Sequence, residues 1–160
     1  MKEKSVQVDP GGDAWRTRNA GRILTNALRR FEERVLAIME ESGHGGTRRS
    51  HVNLTRHLAL AGTRITELAR RAAMTNAAMT ELIDQCEGLG LVERIEDVTD
   101  KRARIVRFTS AGVGWLDAFG RAVSIAEEEM AREIGDDTMS MLLTRLSQYA
   151  GAVDPVGTNK

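Results

Sequence analysis

Residues 63–109 have the sequence TRITELARRAAMTNAAMTELIDQCEGLGLVERIEDVTDKRARIVRFT, and this stretch decides the fold. Its first part predicts a short helix over residues 66–73, with Thr66 as the N-cap. Residues 74–76 interrupt the helical pattern with a second capping signal. Two helices joined by a tight turn are therefore expected here.

The second helix is predicted from Asn76 to Gly88, with the Thr75 side chain as its cap and Gly90 as a left-handed stop. Its apolar side chains recur every three or four residues, which indicates that one face is buried. These side chains are Met79, Leu82, Ile83, Cys86 and Leu89.

Two strands are predicted after the helices, at residues 91–95 and 104–108, because both segments are rich in Val and Ile. The charged segment 96–103 lies between them as a turn, and residues 63–65 are expected to add a short third strand. Two helices followed by a hairpin indicate a winged helix-turn-helix, in which the second helix lies in the major groove of DNA.

Five segments resemble the MarR (multiple antibiotic resistance regulator) family of bacterial transcription regulators. The wing signature is the most specific part: Asp97, then Asp-x-Arg at residues 100–102, then Phe-Thr-x-x-Gly at residues 108–112. The other matching segments are residues 65–69, 79–87 and 90–94. The resemblance implies a dimeric repressor or activator, here interpreted as a repressor, of a kind that a small molecule often releases from its operator.

Long amphipathic helices are predicted on both sides of the winged unit, which occupies residues 46–109. They are more apolar than one small domain needs, so we expect them to interdigitate with those of a second copy. The fold class is therefore mainly α with a small β wing, flanked by long helices that form an intertwined dimer base. The dimerisation region comprises residues 13–45 and 110–151, and residues 1–12 and 152–160 are predicted to be flexible tails.

Three of these flanking helices are expected. The first extends without a break from Asp13 to about Ser42, and the last occupies residues 138–150. The helix that follows the wing is predicted to have Thr109 as its N-cap. It is also predicted to bury an apolar stripe, which comprises Leu116, Phe119, Val123, Ala126 and Met130. A two-fold dimer built on these helices would place two recognition helices roughly 34 Å apart, which matches a palindromic operator.

Polar and small side chains occupy the face of the second helix opposite its apolar stripe, where they are expected to contact DNA. Thr and Asn side chains can donate to phosphates or bases, and an alanine can contact a thymine methyl group. Relatives in the family often have arginine at the positions of Glu81 and Gln85, so this chain departs from the family there. The predicted contacts on this helix are Thr75, Asn76, Ala77, Thr80, Glu81 and Gln85.

The predicted wing turn contributes cations to the same interface. Arginine at a hairpin tip can enter the minor groove, where the negative potential favours it. By resemblance, Arg102 is that arginine and Asp100 holds the tip, with Lys101 and Arg104 as further contacts. A charged turn that only keeps the ribbon soluble is the alternative interpretation.

Composition limits the classes of function. The chain has 160 residues, 41% of them hydrophobic, and no apolar run approaches the length of a membrane span. One cysteine cannot form an internal disulfide, and the N-terminus lacks a secretory signal, so we expect a cytoplasmic protein. No phosphate-loop or hydrolase motif is present and the three histidines do not form a ligand set. We therefore predict no enzymatic activity, no metal and no cofactor.

The net charge of zero is unusual for a nucleic-acid-binding protein, but the charge is unevenly distributed. Residues 46–109 have 11 basic and 8 acidic side chains, whereas residues 110–160 have 4 and 8. DNA binding depends on the local electrostatic potential of the protein surface and not on the total charge, so double-stranded DNA remains the predicted partner. The zero net charge and Glu81 keep one alternative open, which is a winged-helix protein-interaction module without specific DNA binding.

An effector pocket is implied by the resemblance, since relatives usually bind an aromatic or phenolic acid between the dimer base and the winged lobe. By that layout, Trp15, His51 and Trp115 are the candidate ligand-binding residues. Each of them is also compatible with a role in the core.

Overall fold

A computed structural model describes residues 14–151 of the chain. The chain divides into two units between Arg34 and Val35. The elements in chain order are α1 (Ala14–Arg18), α2 (Ala20–Glu41), α3 (Arg49–His57), β1 (Thr63–Arg64), α4 (Ile65–Arg71), α5 (Asn76–Gly88), β2 (Val92–Glu96), β3 (Arg104–Phe108), α6 (Ser110–Ile134) and α7 (Asp136–Ala150). The fold class is confirmed as mainly α with a small β wing. The predicted tails, residues 1–12 and 152–160, lie outside the described residues.

The first unit contains α1 and the start of α2. A single unbroken helix was predicted here, but Asn19 interrupts it. The Oδ1 atom of Asn19 accepts the backbone N–H of Arg22 at 2.9 Å, which is the bond of a helix N-cap. The prediction was wrong because it followed the apolar period and overlooked this capping side chain.

The helix-turn-helix lies in the second unit and is formed by α4 and α5. The Oγ1 atom of Thr75 accepts the N–H of Ala78 at 3.1 Å, so the predicted cap of α5 is confirmed. The predicted Thr66 cap is wrong: α4 begins at Ile65, with Arg64 as its N-cap residue. Arg64 is held in an extended conformation because β1 pairs with β3, and the helix can therefore start one residue earlier than expected.

The sheet has the order β1-β3-β2 and is antiparallel throughout. Val106 of the central strand pairs with Thr63 on one side and with Arg94 on the other, and its side chain is fully buried. The predicted third strand is thus confirmed at residues 63–64. Strand β2 begins at Val92, one residue later than predicted, and includes Glu96.

Helix α6 begins as predicted, because the Oγ1 atom of Thr109 accepts the N–H of Gly112 at 2.9 Å. Its buried line differs from the predicted stripe. Four of the five predicted side chains are only half-buried, and Ala126 alone is buried. The line that packs inward consists mainly of small residues, which allow a close approach: Gly112, Trp115, Ala118, Ala122 and Ala126.

Helix α7 begins at Asp136, two residues before the predicted start. Within residues 14–151, no helix combines the length and the apolarity needed to span a bilayer.

Gly112 offers a test of the close packing between α6 and the segment before β2. A Cβ atom at this position would lie 1.9 Å from the carbonyl oxygen of Leu91, a distance that requires the backbone to shift. We expect Gly112→Ala to lower the free energy of unfolding by roughly 1–3 kcal/mol, measured by urea denaturation. Gly120→Ala is the matched control, since a Cβ there has open space and should stabilise the helix by about 0.5–1 kcal/mol. Equal stability of the two variants would contradict this packing.

Candidate nucleic-acid interface

Helix α5 presents an exposed face that contains all six side chains predicted to contact DNA. Thr75 is the N-cap, Asn76 and Ala77 lie in the first turn, and Thr80, Glu81 and Gln85 continue along the helix, all of them exposed. The exposure of this face is therefore as predicted, and contact with DNA stays a prediction.

The orientation of α5 is fixed by its buried side. Met79, Ile83 and Cys86 are completely buried, and the helix packs on α3, α4 and β2. Burial raises the pKa of the Cys86 thiol to about 11, so the thiol stays protonated and unreactive near neutral pH. Leu89 was expected on this side but is 46% exposed, because the helix ends at Gly88 and the chain turns away.

Arg94 of β2 joins the wing sheet to α5. One of its terminal nitrogens donates to Oδ1 of Asp84 at 2.6 Å and to the carbonyl oxygen of Thr80 at 3.3 Å. The other donates to the carboxylate of Glu87, whose second oxygen accepts the backbone N–H of Arg94 at 2.9 Å. Asp84 thus pairs with a basic side chain.

The pairing leaves the three carboxylates of α5 in different states. Asp84 and Glu87 share the guanidinium of Arg94. Glu81 is exposed and has no ion-pair partner among residues 14–151. The negative charge that α5 presents to solvent is therefore concentrated at Glu81.

A buried carboxylate holds the base of the wing. Asp97 is 4% exposed, and its Oδ1 atom accepts the N–H and the hydroxyl of Thr99 at 2.8 and 2.7 Å. Its Oδ2 atom accepts a hydrogen bond from the Nε–H of Arg64 in β1, with the two heavy atoms 2.6 Å apart. The hydrogen bonds from Thr99, together with the Arg64 guanidinium, lower the pKa of Asp97 to about 2. The carboxylate is thus charged at neutral pH and fastens the turn to the sheet.

The tip of the wing is tightly turned. The Oδ1 atom of Asp100 accepts the N–H of Arg102 at 3.0 Å, so Asp100 holds the tip as expected. Lys101 and Arg102 are exposed, and neither side-chain cation has an ion-pair partner in the described part of the chain. Arg104 is also exposed but lies 3.5 Å from the carboxylate of Glu96. Two free cations therefore stand at the tip and a third is partly neutralised.

Two arginines that assemble this surface, Arg64 and Arg94, were not among the predicted site residues. Arg64 contacts a carboxylate 33 positions away, and Arg94 contacts one 10 positions away. The predicted third strand was the available signal for Arg64, because its pairing with β3 places Arg64 beside the wing.

The three candidate ligand-binding residues already have distinct environments. His51 is buried, and its Nδ1 atom accepts the N–H of Arg48 at 3.2 Å. Burial and the charge of Arg48 lower the pKa of His51, which keeps the ring neutral. Trp115 is buried, stacks on Phe119 at 5.2 Å and donates its Nε1–H to Thr47 at 2.9 Å. Trp15 lies in the first unit and is 70% exposed.

Within residues 14–151, no group of three His, Cys, Asp or Glu side chains is placed to hold a metal ion.

Residues 53–103 match a family model described as MarR family. The predicted resemblance to that family is thus confirmed. The match spans α4, α5, β2 and most of α3 and ends in the wing turn before β3, so it contains the exposed helix face and the wing tip described above. A search of curated proteins finds no significant match.

Solved structures of MarR-family regulators share the fold. Wild-type MarR from E. coli, in the apo form, is 18% identical with a TM-score of 0.70, covering 84% of this chain and 98% of that one. The transcriptional repressor CouR, bound to a 23-mer DNA duplex, is 21% identical with a TM-score of 0.67, covering 91% and 100%. A MarR-family regulator from Rhodococcus sp. RHA1 is 18% identical with a TM-score of 0.66, covering 95% and 100%.

The carboxylate at the base of the wing should make stability depend on pH. Because the pKa of Asp97 is lowered from 3.8 to about 2, its contribution is present above pH 3.8 and is lost as the pH falls towards 2. We expect Asp97→Asn to unfold more easily than the wild type at pH 5, and the difference to shrink between pH 4 and pH 2. Urea denaturation across this range measures the difference.

Asp117→Asn is the control, because Asp117 is an exposed carboxylate on α6 with no partner among the described residues. A difference for Asp97→Asn that stays constant from pH 5 to pH 2 would contradict the anchoring role of Asp97.

Proposed function

We propose that this chain is a sequence-specific, DNA-binding transcription regulator, a repressor that binds a palindromic operator as a homodimer. The observation that carries the proposal is the exposed face of α5 in the same unit as a wing tip with two cations, Lys101 and Arg102, that have no ion-pair partner in the described part of the chain. A fold shared with CouR, a repressor bound to DNA, supports it.

In this proposal α5 enters the major groove. Thr75 and Asn76 at its start, together with Thr80, supply hydroxyl and amide groups for phosphates and base edges. Ala77 allows a close approach to a thymine methyl group, and Gln85 can reach a base or a phosphate one turn later. The positive end of the helix dipole lies at this end of α5 and favours nearby phosphates.

The wing supplies the cations. Arg102 enters the minor groove, and Lys101 and Arg104 lie against the flanking phosphates. The hydrogen bond to Asp100 fixes the backbone from which the tip side chains extend, and the pair of Asp97 with Arg64 fixes the base of the wing. A preformed tip loses less conformational entropy on binding than a free loop would.

Exposed apolar side chains on the flanking helices support the homodimer. On α7, Met141 is 59% exposed, Leu143 is 49% exposed and Tyr149 is 86% exposed. Separately, in the first unit, Ile23 is 59% exposed and Leu28 is 50% exposed on α2. These side chains supply apolar area that a second copy would bury. A second copy is the occupant that a palindromic site requires, with residues 13–45 and 110–151 as the dimerisation region.

A small aromatic or phenolic acid remains part of the proposal as the effector, with Trp15, His51 and Trp115 as the candidate contacts. Such a ligand would act by binding one spacing of the DNA-binding lobes more tightly than another. A panel of aromatic acids that leaves the unfolding temperature unchanged would remove the effector from the proposal. Action on DNA by a bacterial-type regulator would place the protein in the cytoplasm.

The second candidate function is a winged-helix module that holds a protein partner. The unpaired carboxylate of Glu81 and the zero net charge of the chain favour it. The two functions differ in salt dependence, because each phosphate that the protein neutralises releases a counterion and adds to the slope of affinity against salt.

Arg102 gives the main test of DNA binding. We expect the wild type to bind a palindromic duplex, selected from a random pool, with an affinity that falls steeply as salt rises. Arg102→Ala should weaken binding by roughly 1–3 kcal/mol, since it removes one groove contact. A gel-shift titration at fixed salt measures the change, with Arg121→Ala as the control that removes an exposed arginine of α6. If the DNA affinity of the wild type does not change with salt concentration, the protein-partner function would be favoured.

The dimer has its own test. Sedimentation of the wild type at micromolar concentration should show a dimer, and Leu143→Glu should shift it to the monomer because a charge would replace apolar contact area. Val98→Glu is the matched control: it makes the same kind of change at a side chain that is 96% exposed on the wing. A wild type that sediments as a monomer would count against the homodimer.

A further inference from the structure

Glu81 is the one carboxylate of α5 that no basic side chain in residues 14–151 neutralises. Asp84 and Glu87 both pair with Arg94, while Glu81 has no ion-pair partner among residues 14–151. It stands on the exposed face, between the polar side chains of Thr80 and Gln85. An unpaired carboxylate therefore lies on the surface that is proposed to face DNA.

The sequence of α5 excludes an intrahelical partner for Glu81. Ion pairs on a helix join residues three or four apart, and the residues at those distances are Ala77, Ala78, Asp84 and Gln85, none of them basic. Helical side chains lean towards the N-terminus, so Glu81 extends over the first turn, where the two alanines are small and exposed. Its carboxylate is therefore unobstructed by neighbouring side chains and lies near the N-terminal end of α5, the end of a recognition helix that contacts base edges.

A carboxylate at this place is repelled by the phosphates on both sides of the groove. The repulsion is offset only if the carboxylate meets a hydrogen-bond donor on a base. In the major groove the donors are the N4 amino group of cytosine and the N6 amino group of adenine. Adenine places the acceptor N7 beside its amino group, which repels a carboxylate, whereas cytosine presents the amino group alone. Cytosine is therefore the base that Glu81 fits.

We infer that Glu81 determines sequence specificity by accepting a hydrogen bond from the N4 amino group of a cytosine in each operator half-site. The inference rests on the proposed function and deepens it. Against other bases the same carboxylate lowers affinity, so Glu81 excludes unsuitable sites as well as selecting a suitable one. The residue thus increases the ratio of specific to non-specific binding, which decides occupancy among many competing sites.

The test begins with duplexes selected from a random pool by the full-length wild type, followed by the same selection with Glu81→Gln and Glu81→Ala. Glutamine pairs with adenine through N6 and N7, so Glu81→Gln should move the preference at one position per half-site from cytosine to adenine. Glu81→Ala should lose the preference at that position and bind a non-specific duplex more tightly than the wild type, because a repulsive charge is gone. Asp117→Asn, which removes an exposed carboxylate of α6, should retain the wild-type sequence preference.

A modified base probes the single hydrogen bond. N4-methylcytosine keeps its pairing with guanine but replaces the amino hydrogen that faces the major groove. The wild type should lose affinity for a duplex with this base by a factor on the order of tenfold. Glu81→Ala should bind the modified and unmodified duplexes equally.

The outcomes separate this inference from the proposed function. If the wild type shows no salt-dependent binding to any selected duplex, the proposed function fails and this inference fails with it. If the wild type binds a palindrome but Glu81→Ala retains the same preference at every position, only the inference is overturned. Because Glu81 is exposed, the variants should unfold at the same urea concentration as the wild type, which confirms that any change arises at the interface.

Discussion

The guanidinium of Arg94 joins the two parts of the winged unit that the proposed interface uses, which are the wing and helix α5. It lies on β2, at the root of the wing, and reaches two carboxylates and a carbonyl oxygen of α5. Its side chain is only 22% exposed, so these charge-assisted bonds are partly shielded from water. The position of the helix relative to the wing, and the charge that the helix presents, therefore depend on the same side chain.

Local patterns were sufficient to predict most of this unit from the sequence. The caps at Thr75 and Thr109 and the burial of one side of α5 depend on residues within four positions of each other, and the structure confirms them. The exposed face of α5 follows from the same periodicity. The errors at Thr66 and Leu89 lie at helix ends, where strand pairing and chain direction decide which residue begins or ends the helix.

Contacts between segments that are far apart in the sequence could not be predicted from local sequence patterns. The pair formed by Arg64 and Asp97 depends on how β1 docks beside β3, which no local period specifies. The buried line of α6 was misplaced for a related reason. Hydrophobicity favoured the bulky side chains, such as Leu116 and Phe119, but close packing selected Gly112 and the alanines, since only small residues allow the backbones to approach.

The distribution of charge on the proposed interface suggests how affinity and specificity are divided. On the proposed interface Lys101 and Arg102 stand on the wing, and neither cation is paired within residues 14–151. Attraction to the phosphates and to the minor groove would there strengthen binding to any duplex. Helix α5 has no basic side chain. Arg94 of β2 neutralises two of its carboxylates, Asp84 and Glu87, so Glu81 is the carboxylate that stays unpaired within residues 14–151. A helix without cations gains less from phosphates than the wing does, so under the proposed function a larger share of its binding would come from base edges. The zero net charge of the chain is then compatible with DNA binding, because the cations need only stand where the phosphates pass.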